Sequence, residues 1–348
     1  MRALSLALVF VLTSSLACAS TASRAADNTS AKAVSLKAPS LDQRVATART
    51  YFEAFAHHVG FQGSVLIAKN GQALFAQDVG VTQSGSGGKS SGAPQYFIGS
   101  ITKMLTAALA MREVERGNMA LNAPVSRYLK DFTGPARDVT VEQLLSHTSG
   151  IPNYTDFSEF DAFKPGPASP AQILALFASK SLTSPPGTSY EYSNSNFIVL
   201  GAILERLSGR SFETLLKTEI LMPARMNDTY FPTSGKMSEV AKTHPNLQRG
   251  MAFGTDVLPQ PANDIDVGWP STAGAMVSTA ADLLKWNSFL FGGGFLRPET
   301  IVDMQTRRLG TTDLVLSQLT LPTARACAVT MVPSMGTSPR TSIFLKNS

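Results

Sequence analysis

Cysteine is nearly absent and histidine is scarce. Of 348 residues only Cys18 and Cys327 carry thiols. Cys18 lies in an N-terminal stretch expected to be removed, which leaves a mature chain with no internal disulfide and a stability that rests on its core. The histidines at positions 57, 58, 147 and 244 show no HExxH or other metal-ligand spacing, and adjacent residues such as His57 and His58 cannot share a helix face. A metal hydrolase is therefore disfavoured. Clustered basic runs are missing too. The net charge of +5 and pI near 9.2 come from scattered Lys and Arg, whereas binding a phosphate backbone calls for a concentrated basic face. No nucleic-acid partner is expected.

A hydrophobic fraction of 43% and a charged fraction of 16% are those of a soluble globular protein, long enough for one large domain or two intimate ones. Arg2, the apolar run Ala3 to Leu16 and the small residues Ala17 to Ala26 have the three-part layout of a secretory signal peptide, too short for a membrane span. Cleavage after Ala19, Ala22 or Ala25 gives a secreted or periplasmic chain. Cys18 as a lipid anchor is the lesser alternative, because Ser15-Leu16-Ala17 matches the lipoprotein pattern poorly. Residues 1–25 are thus assigned to the signal and residues 26–40 to a small, polar, disordered lead-in. Residues 41–305 form the main domain and residues 306–348 an atypical tail.

Along the main domain, Val45, Ala48, Phe52, Phe55 and Val59 recur at helical steps from Leu41 to Gly60. Asn70-Gly71 between the runs Ser64–Ala68 and Ala73–Ala76 signals a two-residue hairpin, since both turn positions need positive φ. Ser84 to Gly92 is a Gly/Ser loop. Ile101, Met104, Leu105, Ala108, Leu109, Met111 and Val114 predict a helix apolar on most sides, ended by Gly117. Thr140 to Gln143 and Ser169 to Gln172 read as capping boxes. Phe197, Leu200, Ile203, Leu204 and Leu207 predict a helix ending at Gly209, Ser211 opens another, and Thr279 caps one running through Trp286 and Leu290. Residues from Pro232 to Pro270 read as irregular surface loop. The ends supply the β-structure and the middle is helical, which predicts an α/β fold with an inserted helical domain at about 136–264 and a cleft where the two meet.

Ser100 and Lys103 stand one helical turn apart where a polar loop becomes the most apolar helix, so hydroxyl and amine share a face. Lysine accepts the serine proton only if burial or neighbouring charge disfavours its ammonium form. Ser86-Gly87-Gly88-Lys89 has the same spacing, but two glycines in a loop with no helix after them cannot fix the pair; context separates the two. Tyr192 is the candidate proton shuttle, because a phenol between cations titrates low enough to exchange protons. Asn194 is the candidate amide donor to a substrate carbonyl, and the positive end of the helix opening at Ser100 favours an oxyanion there. His147 invites a Ser–His reading, yet no G-x-S-x-G elbow exists anywhere.

Ser100-Ile101-Thr102-Lys103 and Tyr192-Ser193-Asn194, in that order, resemble the S-x-x-K and Y-x-N motifs of the serine β-lactamase and penicillin-binding-protein family. The branch is that of class C β-lactamases, DD-peptidases and related esterases. The stretches Leu144–Pro152, Pro186–Thr188 and Ala273–Asp282 carry the likeness further, so that it runs from about Gly63 to Gln305. The resemblance implies a β-lactamase/transpeptidase-like fold, an antiparallel sheet flanked by helices with the helical insertion. It also implies a serine acyl-enzyme that uses no cofactor, with Ser100 as nucleophile, Lys103 as base, Tyr192 as shuttle and Asn194 binding substrate. The implied substrate is a β-lactam, a D-alanyl peptide or an ester, and His147 sits in a structural loop. The expected partner is that small-molecule or peptide substrate alone, with the chain a monomer.

The family's third motif, K-T-G or H-x-G on a C-terminal strand, has no match. No histidine follows His244, the only lysine after Trp286 is Lys346, and Met335-Gly336-Thr337 keeps a Gly-Thr with no Lys or His before it. The tail from Thr306 is rich in Thr, Ser, Arg and Pro and reads as a shifted frame or truncation, with divergence as the alternative. The expectation is a hairpin at Gly63–Ala76 deprived of partner strands, an exposed sheet edge and a missing cleft wall. A short-chain esterase needs no third motif of that type, and a non-catalytic relic is the reading from another class.

Overall fold

A computed structural model of the chain describes residues 39–59, 61–79, 92–163, 166–248, 250–253, 259–261, 264–306, 327–333 and 344–345. The signal-like stretch, the Ser86–Lys89 pair and Met335–Thr337 lie outside them. In chain order the elements are α1 (Leu41–Val59), β1 (Gly63–Lys69), β2 (Gln72–Val79), β3 (Tyr96–Phe97), α2 (Thr102–Glu115), α3 (Val125–Tyr128), α4 (Val141–Leu145), α5 (Ser158–Phe163), α6 (Pro170–Phe177) and α7 (Asn194–Ser208). They continue with α8 (Phe212–Leu216), α9 (Met237–Thr243), β4 (Met251–Phe253), β5 (Pro259–Pro261), α10 (Ser271–Gly274), β6 (Val277–Ser278), α11 (Ala280–Phe291), α12 (Pro298–Gln305), β7 (Cys327–Pro333) and β8 (Phe344–Leu345).

The hairpin forms where Asn70-Gly71 predicts it. Asn70 has φ 53° and Gly71 φ 76°, the pair of left-handed residues a two-residue turn requires, and β1 pairs β2 antiparallel from Gly63↔Val79 to Lys69↔Gln72. Alternation then sorts β1 between two layers. Val65 and Ile67 face α1 through Phe52 and Ala56, while Leu66 and Ala68 face α11 through Ala280. Helices thus cover both faces of an antiparallel sheet, as the α/β reading expects.

Two expectations are corrected. The open edge on β1 is not there: β7 pairs along β1 from Gly63↔Pro333 to Ala68↔Ala328, and β8 adds to β7, giving the order β2-β1-β7-β8. The tail's Thr/Arg-rich composition hid a short run with β-branched Val329, Thr330 and Val332, residue types that suit a pleated strand. The stretch Pro232–Pro270 is also not wholly irregular, since it holds α9 and the ribbon β4–β5. The start of α9 is held from outside itself, with Ser238 N–H donating to Asp264 Oδ1 at 2.9 Å, and Val240 packs with Phe97, Leu247, Val267 and Val277. A seven-residue helix held by distant partners leaves little periodicity to read.

Local caps agree with the sequence. Thr140 with Gln143 and Ser169 with Gln172 close both predicted capping boxes, and Gly209 ends α7 in the left-handed region at φ 66°. The principal core runs from Tyr96 to Met304 and is centred on α2, α7 and α10. Gly201 lets α7 and α10 meet, because a Cβ there would stand 2.5 Å from the Thr272 side chain.

Candidate active site

The site begins at a backbone turn. Ile98 N–H donates to the Met276 carbonyl at 2.9 Å, fixing the chain against the segment that joins α10 to β6. Gly99 then takes φ 52°, in the left-handed region that favours glycine, and residues 99–101 form a 3₁₀ turn leading into α2. Ser100 therefore stands half-buried on the 3₁₀ entry and Lys103 in the first turn of α2. The hydroxyl of Thr102 accepts from Met276 N–H at 3.3 Å and that of Thr106 donates to the Thr272 carbonyl at 2.8 Å, clamping α2 onto α10.

Lys103 is 1% exposed. Its Nζ donates to Ser100 Oγ at 3.1 Å, to Asn194 Oδ1 at 2.7 Å and to the Ala273 carbonyl at 2.8 Å. The rings of Tyr192 and Phe197 lie 5.0 and 5.5 Å from it. Among the described residues no carboxylate pairs with it, and burial pulls its pKa from 10.5 down to about 7. A neutral amine keeps two N–H donors and a lone pair. Asn194 and Ala273 take the two donors, and the lone pair then faces Ser100.

Tyr192 and Asn194 arrive from a distant part of the chain, at the start of α7. Tyr192 Oη lies 2.7 Å from Ser100 Oγ and donates to Asn194 Oδ1 at 3.4 Å. Ser100, Lys103, Tyr192 and Asn194, read from positions up to 94 apart in the chain, thus form one continuous hydrogen-bonded group. His147 is beside it without touching Ser100 in any described hydrogen bond. Its Nδ1 accepts the Ser193 N–H at 3.1 Å, its carbonyl accepts the Glu191 N–H at 2.9 Å, and its ring centroid is 4.6 Å from that of Tyr192. Burial, with the Lys103 charge adding to it, drives its pKa from 6.5 down to about 3. A neutral imidazole that brackets residues 191–193 and backs the Tyr192 ring matches a structural part better than a base.

Three partners escaped the sequence reading. The Ala273 carbonyl is a backbone group, and side-chain patterns say nothing of it. Asn153 Oδ1 accepts both the backbone N–H of Asn194 at 3.0 Å and its side-chain Nδ2 at 3.1 Å, and Thr155 Oγ1 lies 3.3 Å from the same Nδ2. The polar run Asn153-Tyr154-Thr155-Asp156 directly after the Leu144–Pro152 stretch was the available signal. The first turn of α7 is tied to that run again, as Ser195 Oγ accepts from Tyr154 N–H at 3.0 Å and donates to the Pro152 carbonyl at 2.7 Å.

Comparison with known proteins gives the family. Residues 48–319 match the Beta-lactamase family, and the chain belongs to that family. Protein flp of Staphylococcus aureus (strain N315) is 27% identical over 230 residues, 65% of this chain and 44% of that protein. Penicillin-binding protein 4* of Bacillus subtilis (strain 168) is 30% identical over 185 residues, 52% of this chain and 40% of that protein. The chain thus spans less than half the length of these relatives. Among solved structures, EstCE1, a hydrolase with promiscuous acyltransferase activity, superposes with a TM-score of 0.65 at 25% identity, covering 78% of this chain and 79% of its own.

Proposed function

We propose that this member of the Beta-lactamase family is an exported serine hydrolase that works through an acyl-enzyme on Ser100. The observation that carries the reading is Lys103, buried without a carboxylate partner and aimed at Ser100 Oγ at 3.1 Å. Near pH 7 a substantial share of Lys103 is neutral, which is the state a general base requires. Ser100 Oγ attacks the substrate carbonyl carbon as its proton moves to Lys103. The carbonyl π electrons move onto oxygen, where the Ser100 N–H is the available donor, since the first N–H groups of a helix lack partners within it. Collapse of the tetrahedral species breaks the bond to the leaving group, which takes a proton through Tyr192, 2.7 Å from Ser100 Oγ. Water then repeats the sequence on the acyl-enzyme and restores the Ser100 hydroxyl.

Substrates of the family's type are β-lactams, D-alanyl peptides and esters. Within that set a specific observation favours simple esters: the Asn194 amide hydrogens already have Asn153 and Thr155 as acceptors, leaving no donor there for an amide group on the acyl side. The similarity to EstCE1 supports the same choice. Labelling native protein and Ser100→Ala with a fluorophosphonate and a fluorescent penicillin tests the reading. Fluorophosphonate labelling of the native protein alone is expected, and equal labelling of both proteins would overturn it in favour of a non-catalytic chain.

A further inference from the structure

Resting on the reading of Ser100 and Lys103 as nucleophile and base, we propose that Asn153 is a positioning residue. It commits Asn194 to Lys103, so that Asn194 serves the base and not the substrate. A side-chain amide has an oxygen and a nitrogen of similar shape, so its orientation has to be read from partners whose roles are fixed. The backbone N–H of Asn194 is such a partner, because it can only donate. It meets the Asn153 side chain at 3.0 Å, and the atom facing it must be Oδ1. The Nδ2 of Asn153 is thereby turned the other way, where Thr155 Oγ1 accepts at 2.7 Å and Asp156 Oδ1 at 3.0 Å.

The same Oδ1 then receives Asn194 Nδ2 at 3.1 Å, with Thr155 Oγ1 as the second acceptor at 3.3 Å. With its nitrogen fixed toward Asn153, Asn194 has only its oxygen left for Lys103, which it meets at 2.7 Å. One orphan N–H at the start of α7 therefore sets the polarity of two amides in series, and the series ends in an acceptor on the buried amine. Asn194 was expected from the sequence to donate to a substrate carbonyl. In the structure its donors face the protein.

The groups packed around Lys103 make the arrangement sensitive to charge. From α7 come Asn194 and Phe197, from α10 the Ala273 carbonyl, from the segment before α7 the phenol of Tyr192, and behind it the neutral imidazole of His147. Tyr192 and His147 are the titratable members. Replacing Asn153 by Asp keeps an oxygen where Asn194 needs one and adds a negative charge beside that of Asp156, one amide away from a Lys103 that has no carboxylate partner among the described residues. Replacing it by Ala removes the oxygen and frees the Asn194 amide to turn.

Opposite movements of the Lys103 titration are therefore expected, read by the Nζ resonance of ¹⁵N-lysine-labelled full-length protein and assigned with Lys103→Met. Asn153→Asp raises the midpoint by about one unit, and Asn153→Ala lowers it. An unchanged midpoint in either variant, or shifts in a common direction, overturns the proposal. Should Asn153→Ala fail to fold, wild type against Asn153→Asp still decides. In parallel, Asn153→Ala is expected to lose about 10- to 100-fold in kcat/KM, equally on a short acyl ester and on its acylamino counterpart. Loss confined to the acylamino ester returns Asn194 to substrate binding and also overturns the proposal. If Ser100→Ala leaves hydrolysis unchanged, it is the catalytic reading that falls, and the titration still decides the role of Asn153.

Discussion

Two long helices, α1 and α2, make opposite use of their surfaces. α1 buries only Phe52 and Ala56 among its described side chains, lays them on Val65, Ile67 and Phe75 of the hairpin, and leaves its charges in water. α2 buries every residue from Thr102 to Met111, charged Lys103 included. Its buried acid, Glu113, is paired with Arg116 at 2.8 Å and accepts a hydrogen bond from Asn118 Nδ2 at 2.8 Å. Lys103 has hydrogen-bond acceptors but no counter-charge among the described residues. The contrast lies in what burial does: full burial without an opposite charge holds the Lys103 pKa well below its ordinary value, and half-burial on a sheet leaves side chains to packing alone.

The sharpest break of that contrast is at Lys103 itself. Lys103→Met is expected to lower Ser100 labelling by a fluorophosphonate about 10³-fold or more, measured as a rate of inactivation. Stability moves with pH as well. The folded pKa of about 7 lies below the unfolded 10.5, so the unfolded chain binds more protons between those values and the native protein gains stability as pH rises through them. The full difference is on the order of 5 kcal/mol. The Tm advantage of Lys103→Met over wild type is therefore expected to stay level below about pH 6 and to shrink from about pH 7 to about pH 10. A constant difference would remove burial as the cause.

On the other side of the comparison, Phe52→Ala in α1 should cost about 3–5 kcal/mol in urea unfolding while leaving the pH dependence of Ser100 labelling in place. A shift in that dependence would mean that the two layers are coupled. Gly99→Ala places a Cβ at φ 52° and should cost about 1–2 kcal/mol, with the labelling rate falling alongside as the Ser100 turn adjusts. The smallest effect belongs to the exposed face of α1. Glu53→Ala should remain within about 0.5 kcal/mol of wild type and label at the native rate.

Legibility followed the range of the interactions. The Asn70-Gly71 hairpin, both capping boxes and the Gly209 helix end are fixed by residues within a few positions of one another, and each was readable. Ser100 and Lys103 were readable because their spacing sits at the mouth of the most apolar helix. Tyr192 and Asn194 were readable through the family likeness, not through any local rule. What escaped was held from afar. α9 depends on Asp264, β7 on the edge of β1, and the orientation of Asn194 on Asn153, with 41 positions between them. The Ala273 carbonyl had no signature at all, since every residue carries one.

Sequence alone was enough for the helical centre between β-forming ends, the order of the motifs and the naming of Ser100, Lys103, Tyr192 and Asn194. The helical centre and the Ser100–Lys103 pair follow from periodicity, turn chemistry and spacing, which act over a few residues, whereas Tyr192 and Asn194 came with the family likeness. Only the tertiary structure decided that Lys103 is dry, that its acceptors include Asn194 and Ala273, and that Asn194 turns its oxygen inward. Burial and hydrogen-bond polarity depend on neighbours distant in sequence, and no local pattern encodes them.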